Sequence, residues 1–391
     1  MESTGSIHPE PFRIALVTDG LFPLSIGGMQ KHSAKLAAHL AEAGARVFLF
    51  HPHRDLLPEQ VFTEQQQKAI HCIYVPWPAV PSFPGHYLFR NYQYSRAVDR
   101  IIREHKVDAV YVQGFSGWKS VCSAQKTTPV VLNLHGMEMF QPLRGIRNRM
   151  NGLMLRIPAR KLMRRADAVV SLGGKLSDII RKEAPGRNII ELPVGIDDQW
   201  LEKVEGDKTS TVRTILFVGR YEWRKGLDLL NQVIPEVLDV FPEQLRFSFI
   251  GDIPQEHRVK HPQVHYYGPL RDEQKIRTIY HSSDILVCPS YSEGMPTVIL
   301  EAMASGLPVL ATNVGAVSLL VSSANGRLIE PGSASSLKAS LLELLQSNTN
   351  QLHAMQIASA KKAAEFSWEK VARLSLQRLQ EANRLFFSRR S

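Results

Sequence analysis

The chain has 391 residues, more than one ordinary hydrophobic core supports, and this length favours two domains of just under 200 residues each. Apolar residues make up 44% of the sequence and charged residues 21%, which is typical of a soluble globular protein. Forty-seven Lys and Arg against 37 Asp and Glu leave a net charge of +10, so we expect an anionic partner: a phosphate, nucleic acid or an acidic lipid surface.

Cysteine use and hydropathy narrow the class further. Cys72, Cys122 and Cys288 are far apart and odd in number, which predicts neither a disulfide framework nor a Cys-x-x-Cys metal site and favours a reducing compartment. Residues 1–11 lack the apolar core of a signal peptide, and no apolar run approaches the roughly 18 residues of a membrane span. We expect a cytoplasmic protein that is not integral to a membrane.

The first half alternates strand-like and helix-like segments. The predicted strands are Arg13–Thr18, Val47–Phe50, Asp108–Val112, Pro129–Asn133 and Asp167–Val170, with a helix at Gly28–Gly44. This rhythm predicts a doubly wound parallel sheet, on which ligands bind at the carboxyl ends of the strands.

Two loops at such strand ends carry candidate site residues. Gly27 and Gly28 open the first helix, where glycine lets the backbone approach a ligand and helix N–H groups point at phosphate. An ordinary turn and cap would also explain them. His135 follows the strand at Pro129–Asn133. Most histidines are structural, but this position at a strand end favours a functional one.

The segment Leu143–Arg165 contains eight basic residues and no acidic residue. Its apolar residues lie at helical spacing, and Pro158 is expected to kink or restart the helix. We interpret it either as an amphipathic helix that contacts an anionic membrane surface, or as a helix that packs on its own sheet while its arginines face solvent or bind an anionic acceptor. The sequence favours neither.

The second half begins after the segment L-P-V-G-I-D, Leu192–Asp197, and a charged linker at Leu201–Ser210. A strand at Thr214–Val218 runs into G-R-Y-E-W-R-K-G. Arg220 and Lys225 in that loop suit a diphosphate, because arginine offers a planar fork and lysine a point charge. A salt-bridged loop would explain one of the two cations, and Arg224 has no predicted role.

A strand, loop and helix unit at Asp284–Gly306 carries two carboxylates. Glu293 lies in the loop and Glu301 in the helix, which would place them roughly 12 Å apart if the whole segment were helical. A glycosidase pair requires about 5 to 9.5 Å. The wider spacing favours two acceptors that hold the ends of an elongated ligand such as a nucleoside diphosphate sugar. Exposed, solvated glutamates are the simpler alternative.

These motifs together resemble the retaining glycosyltransferases of family 4. The Glu-x7-Glu segment at Glu293–Glu301, the G-R-x4-K-G loop with Arg220 and Lys225, the Gly27–Gly28 loop and His135 occur in the order of that family. Phe366–Ala372, F-S-W-E-K-V-A, resembles the start of its C-terminal helix. The resemblance implies a GT-B fold, which consists of two doubly wound, Rossmann-like parallel-sheet domains facing across a cleft.

The expected domains are residues 1–195 on the acceptor side and 196–370 on the nucleotide-sugar side, with the C-terminal helix, about 371–391, packing back on the first domain. The resemblance implies a retaining transfer from a nucleoside diphosphate sugar to a hydroxyl of a carbohydrate or lipid-linked acceptor, in cell-surface polysaccharide or glycolipid synthesis. No metal, cofactor or nucleic acid is expected.

The resemblance also assigns roles to residues. The catalytic group comprises His135, Glu293, Arg220 and Lys225, and the donor-binding group comprises Gly27, Gly28, Gly294, Met295, Pro296 and Glu301. His135 would lie at the reaction centre, the two cations would neutralise the leaving diphosphate, Glu293 would orient the sugar, and Glu301 the ribose.

Two residues depart from the family pattern, and two other functions remain open. Gln113 stands where many members have histidine, and Val194 replaces an asparagine of the hinge segment, which puts acceptor-side and hinge contacts in doubt. The alternatives are a GT-B nucleotide-sugar epimerase, which would consume donor without acceptor, and a silent anion-binding or membrane-docking module. A silent module would not need all five of His135, Arg220, Lys225, Glu293 and Glu301. If the basic helix binds lipid, the protein would act at the inner face of the membrane.

Overall fold

The computed structural model describes residues 10–25, 27–201 and 212–390. Two predictions fall outside the described residues: most of the N-terminal segment, at residues 1–9, and the linker from residue 202 to 210. Among the described helices, none is long and apolar enough to cross a membrane.

The fold contains two parallel sheets. The first has seven strands in the order β3-β2-β1-β4-β5-β6-β7, and the second has six in the order β10-β9-β8-β11-β12-β13. The strands are β1 Arg13–Val17, β2 Arg46–His51, β3 Ile70–Tyr74, β4 Ala109–Gln113, β5 Val130–Asn133, β6 Ala168–Ser171, β7 Ile189–Glu191, β8 Arg213–Val218, β9 Leu245–Ile250, β10 Val264–Gly268, β11 Ile285–Cys288, β12 Val309–Thr312 and β13 Gly326–Ile329.

Helices connect the strands and cover both faces of each sheet. They are α1 Gly28–Glu42, α2 Glu64–Gln67, α3 His86–Ile102, α4 Trp118–Cys122, α5 Ile146–Arg165, α6 Lys175–Glu183, α7 Asp198–Leu201, α8 Leu227–Val240, α9 Glu273–His281, α10 Thr297–Ala304, α11 Ala334–Gln346, α12 Thr349–Ala363 and α13 Trp368–Ser388. This arrangement confirms the predicted α/β class and the GT-B fold, with an N-terminal lobe built on the first sheet and a C-terminal lobe built on the second.

The central strands are apolar because both of their faces are covered. All four residues of β5, β6, β11 and β12 are buried, and β11 pairs with β12 in the register Val287 to Leu310. Runs of this kind are typical of parallel sheets covered by helices. The carboxyl ends of these strands carry the loops that meet between the lobes.

The last helix returns to the N-terminal lobe. α13 begins at Trp368, three residues before the predicted start at about 371, and packs on α1 and β4. The Asn383 side chain donates to the Asp108 carbonyl at 2.6 Å, and Ile196 pairs with Ser367 just before the helix. The chain therefore passes between the lobes twice. The domain limits at 195 and 370 stay a prediction.

Glycines bring the facing loops of the two lobes close together. A Cβ at Gly294 in the C-terminal lobe would lie 3.1 Å from the Gly136 Cα, and one at Gly174 would lie 2.6 Å from the Gly315 carbonyl oxygen. Charged contacts add to this contact surface, because Lys35 of α1 pairs with Asp197 at 2.6 Å. The structure is thus closed around the space between the lobes.

The expected restart of helix α5 at Pro158 does not occur. The helix runs from Ile146 to Arg165 without a break at Pro158. Pro158 and the adjacent Ala159 are buried. The packed side of the helix therefore holds the proline inside a continuous helix.

Candidate active site

A cavity of about 610 Å³ lies between the lobes at the carboxyl ends of both sheets. Eight of the ten predicted site residues line it: Gly28, His135, Arg220, Lys225, Glu293, Gly294, Met295 and Pro296. Gly27 and Glu301 do not. The cavity is large enough for a ligand of the size of a nucleotide sugar.

Glu293 lies at one wall of the cavity, where its carboxylate bonds three side chains. We call Glu293 with Lys225, Arg224 and Ser290 the Glu293 ring. Glu293 Oε1 accepts from Lys225 Nζ at 2.7 Å and from Ser290 Oγ at 2.8 Å, and its Oε2 contacts Arg224 Nη1 at 3.3 Å. The Glu293 side chain is 6% exposed. Buried charge is stable only when it is paired in this way. The alternative of an exposed, solvated glutamate therefore does not describe Glu293.

The loop before α8 thus supplies three cations. Arg220 has a side chain that is 75% exposed and pairs with Glu222 at 2.8 Å. Arg224, which had no predicted role, bonds Glu222 at 2.7 Å as well as Glu293. Although burial opposes it, the carboxylates of Glu293 and Glu222 raise the pKa of Arg224. The three cations face the carboxylates of Glu222 and Glu293, and Glu138 also acts on Arg224 and lines the cavity, so an anionic ligand competes with these carboxylates for the cations.

His135 lies beyond the end of β5 with a positive φ of 56°, a conformation that is unusual for a residue other than glycine. Its backbone N–H donates to Asn133 Oδ1 at 2.8 Å, and its Nε2 lies 2.5 Å from Gln113 Oε1. Because an amide oxygen only accepts, this contact places the ring proton on Nε2. Burial, and then the neighbouring His32, hold the pKa of His135 well below its usual value, so the ring is neutral.

Gln113, which stands where many family members have histidine, therefore contacts His135. It ends β4, the strand next to β5, and its side chain is fully buried. The departure puts the side-chain carbonyl of Gln113 against the His135 ring. Sequence reasoning noted the substitution but could not identify this partner.

His32 is a cavity residue that the sequence analysis missed. It lies one turn into α1, is 5% exposed, and neither ring nitrogen has a hydrogen-bond partner among the residues the structure describes. Its ring meets that of His135 edge-on, with the centroids 5.1 Å apart. Burial lowers the pKa of His32 to about 4. Its position four residues after Gly28 was the available signal.

The two glycines at the start of α1 differ. A Cβ at Gly28 would meet no protein atom within 4 Å, and Gly28 lines the cavity, so the space beside it is open to a ligand. Gly27 caps the helix, and a Cβ there would lie 2.1 Å from Gln30 Oε1. No side chain caps this helix end, which leaves its N–H groups available to an anion.

A second helix starts at the cavity. Pro296 precedes α10, and the Gly294 carbonyl accepts from the Ala316 N–H at 2.8 Å. Met295 is 5% exposed, and its sulfur lies 3.2 Å from the Val194 backbone N–H. The contact ties the segment between the lobes to the loop before α10.

Glu301 occupies a separate position from Glu293. Its Oε2 accepts from Tyr280 Oη at 2.9 Å, and burial raises its pKa, although the Tyr280 bond and Lys31 oppose the rise. Lys31 belongs to α1 and lies 3.7 Å from Glu273 of the other lobe. Only residues 297–304 are helical, so the helical estimate of 12 Å does not apply to the whole segment between the two glutamates. The two carboxylates contact different partners at different parts of the lobe junction.

No group of three or more His, Cys, Asp or Glu side chains able to hold a metal ion occurs within the described part of the chain.

The fold and this site define a glycosyltransferase. A model described as Glycosyltransferase Family 4 matches residues 26–200, and one described as Glycosyl transferases group 1 matches residues 212–347. The chain belongs to the family 4 type of glycosyltransferases with the GT-B fold, and it is a hexosyltransferase.

Named relatives agree with this class. The chain is 25% identical over 409 residues to the D-inositol 3-phosphate glycosyltransferase of Corynebacterium aurimucosum, covering 92% of this chain and 94% of that protein. It is 28% identical over 243 residues to TuaC of Bacillus subtilis, named for teichuronic acid biosynthesis, and that match spans only 59% of either chain. Sucrose-phosphate synthase from Thermosynechococcus elongatus has the same fold, with a TM-score of 0.77, 18% identity, and coverage of 96% of this chain and 100% of the other.

Proposed function

We propose that this enzyme transfers a sugar from a nucleoside diphosphate sugar to a hydroxyl acceptor with retention of anomeric configuration and without a metal ion. The observation that carries the proposal is the ring around Glu293. It places one buried carboxylate and the cations Lys225, Arg224 and Arg220 at a single cavity wall. Fixed cations can stabilise the charge that develops on a leaving diphosphate.

Donor binding would rearrange this ring. A diphosphate placed between the start of α1 at Gly28 and the Arg220–Lys225 loop competes with Glu293 for Lys225. That competition frees a Glu293 oxygen to accept from the hydroxyls of the donor sugar. Glu301, held by Tyr280, would accept from the ribose.

The proposed chemical step forms one bond and breaks one. The oxygen of the acceptor hydroxyl bonds to the anomeric carbon on the face from which the diphosphate leaves, and the bond between that carbon and the phosphate oxygen breaks. The proton of the acceptor hydroxyl passes to the departing phosphate oxygen. Neutral His135, with its proton held on Nε2 by Gln113, lies beside this centre and orients the sugar.

The proposal places the enzyme in cell-surface polysaccharide or glycolipid synthesis, at the inner face of the membrane. The apolar stripe of α5 supports this setting, because Ile146, Met150, Leu153, Met154 and Ile157 are between 38% and 78% exposed. The helix packs inward through Gly152, Ala159, Leu162 and Met163 instead. Phe83 and Phe89, 42% and 46% exposed, extend the apolar surface, since Gly85 lies against Met154.

Substitution of the ring residues tests the chemistry. We expect Lys225→Ala and Glu293→Gln each to lower kcat about a hundredfold with the productive nucleotide sugar, because each removes a charge contact in the cavity. Glu293→Gln is preferred to alanine, since glutamine keeps an oxygen that can accept from the cations, whereas alanine leaves them without an acceptor. A panel of UDP-, GDP- and ADP-sugars, with and without acceptor extracts, identifies the donor.

Lys275→Ala and Glu256→Gln are the matched controls, because both residues are exposed and lie outside the cavity. Melting temperatures separate lost catalysis from lost folding. Wild-type rates in both ring variants would refute the proposed site. Donor conversion without acceptor and without released sugar would indicate an epimerase instead.

A further inference from the structure

A second cavity of about 670 Å³ opens beside the first. Arg144, Arg149 and Arg156 line it together with Leu143 and Leu153, all from the N-terminal lobe, and Trp223 from the C-terminal lobe closes its other side. We call this space the arginine groove. The donor chemistry proposed above does not use this groove.

The arginine groove carries positive charge that the protein does not neutralise. No acidic residue lines it. Arg149 Nε donates to the Leu143 carbonyl at 3.2 Å and Arg156 Nε to the Met139 carbonyl at 2.6 Å. Within the part of the chain that the structure describes, neither these two nor Arg144 forms an ion pair. Backbone contacts orient the guanidinium groups of Arg149 and Arg156, and the terminal nitrogens of such groups suit phosphate or carboxylate.

The inner end of the arginine groove adjoins the reaction cavity. Gln141 lines the groove, and its Nε2 donates to the Gly136 carbonyl at 2.5 Å and to the Glu293 carbonyl at 2.8 Å. Trp223 of the groove directly precedes Arg224 of the cavity, and stacks on Tyr291 with the ring centroids 4.4 Å apart. The arginine groove and the reaction cavity therefore adjoin at Gln141, close to the Gly136 and Glu293 backbone.

The outer end leads to the apolar stripe of α5. Leu153 lines the groove and also belongs to the stripe, where it is 58% exposed. Met150 and Ile157 continue the exposed surface on the same helix. One path therefore runs from the reaction centre past three arginines to an apolar surface.

This path fits one kind of molecule. We propose that the arginine groove binds the anionic group of a lipid-linked acceptor, whose apolar part lies along the α5 stripe and whose hydroxyl reaches the cavity. The inference rests on the proposed function and adds the chemical class of the acceptor: an amphiphile with a phosphate or other anionic group beside the accepting hydroxyl.

A short-chain lipid tests the groove without a bilayer. Dihexanoylphosphatidylglycerol, kept below its micellar concentration, is titrated calorimetrically into the wild type and into the double variant Arg144→Ala/Arg149→Ala. The control is Arg147→Ala/Arg187→Ala, which removes the same charge from exposed positions of the same lobe outside the groove. Dihexanoylphosphatidylcholine and inorganic phosphate serve as the neutral and lipid-free probes.

We expect affinity for the anionic lipid to fall about tenfold or more in the groove variant and less than twofold in the control, since hydrogen bonds to charged groups are lost only in the former. Equal loss in both variants, equal binding of the neutral lipid, or equally tight binding of inorganic phosphate would overturn the inference.

Donor turnover keeps the two proposals distinct. Hydrolysis of the productive nucleotide sugar, with water as acceptor, should be unchanged in the groove variant. If the wild type turns over donor, and the groove variant binds the anionic lipid as tightly as the wild type does, only the groove assignment fails. If the wild type turns over no nucleotide sugar, the proposed function fails whatever the lipid result.

Discussion

Among single residues, Glu293 determines the charge balance of the cleft. Its carboxylate is shared between Lys225 and Arg224, so under the proposed function the donor displaces part of an existing network instead of filling an empty cationic site. Exchange of one anion for another at a buried site limits the cost of desolvation. The sequence identified Glu293 and Lys225, but their direct contact, across 68 positions, required the structure.

Substitution of Gly28 tests whether a ligand approaches the start of α1. We predict that Gly28→Ala keeps the melting temperature of the wild type or raises it slightly, because the added Cβ meets no protein atom within 4 Å and alanine favours a helix. The KM for the donor should rise about tenfold, since the methyl group occupies space next to the phosphate. Thermal unfolding and initial rates measure the two effects.

Gly294→Ala provides the contrast. Its Cβ would lie 3.1 Å from the Gly136 Cα and 3.2 Å from a methyl carbon of Leu172, so the lobes themselves must shift. We expect a lower melting temperature in this variant. An unchanged donor KM in Gly28→Ala would contradict binding of the donor phosphate at the start of α1.

His32 makes the stability of the fold depend on pH. Its folded pKa of about 4 lies below the usual 6.5, so between these values the unfolded chain binds a proton that the folded chain does not. The free energy of unfolding therefore falls as the pH drops from about 6.5 to 4, by about 3 kcal/mol at most from this residue. His135 acts in the same direction, and Glu301, with its raised pKa, opposes it.

We predict that His32→Leu weakens this acid destabilisation. Urea unfolding at pH 7.5 and pH 5 should show a smaller loss of stability in the variant than in the wild type. His353→Leu is the control, because His353 is an exposed histidine on α12. Identical losses in wild type and His32→Leu would contradict the assigned burial of the neutral ring.

Among elements, the sequence predicted best those strands whose two faces are buried. β11 was expected at Ile285–Cys288 and lies there, because a continuous apolar run has few other positions in a parallel sheet. The outer strands β3 at Ile70–Tyr74 and β7 at Ile189–Glu191 were missed. Both are only partly buried and contain polar residues, so hydrophobic patterning does not mark them.

Helix α5 shows what patterning leaves undecided. An apolar stripe on a helix looks the same whether it packs inward or faces a lipid surface. In the structure, Gly152, Ala159 and Leu162 occupy the packed side of the helix, and the predicted stripe is exposed. Met150 and Ile157 are exposed and form part of an apolar surface patch, which is typical of an interaction site.

Membrane binding by the α5 stripe can be tested with a substitution on α5 and a matched control substitution on another helix. We predict that Ile157→Glu lowers binding to vesicles containing phosphatidylglycerol about tenfold, because it removes an apolar group and adds a charge that anionic lipid repels. The melting temperature should not change, since the side chain is 67% exposed.

Ile357→Glu is the control, because Ile357 is 57% exposed on α12 of the other lobe. It should sediment with vesicles as the wild type does. Equal vesicle binding by Ile157→Glu and wild type would exclude the stripe as a membrane contact.

In the whole molecule, contacts distant in sequence assemble the cleft. Lys35 of α1 pairs with Asp197, and Trp368 at the start of α13 packs its ring near those of His32 and His39. The order of motifs was enough to predict the two-sheet fold. The ring around Glu293, the Gln113 contact and the arginine groove were beyond it, because each depends on how loops from different strands meet.

Calorimetric titration of UDP, GDP and ADP into the wild type and Lys225→Ala tests most directly whether an anionic donor is held between the lobes. At least one nucleoside diphosphate should bind the wild type, and its affinity should fall about tenfold or more in the variant, because one charged contact to the diphosphate is lost. Binding of none of the three, or equal affinity in both proteins, would contradict a donor site at the Glu293 ring.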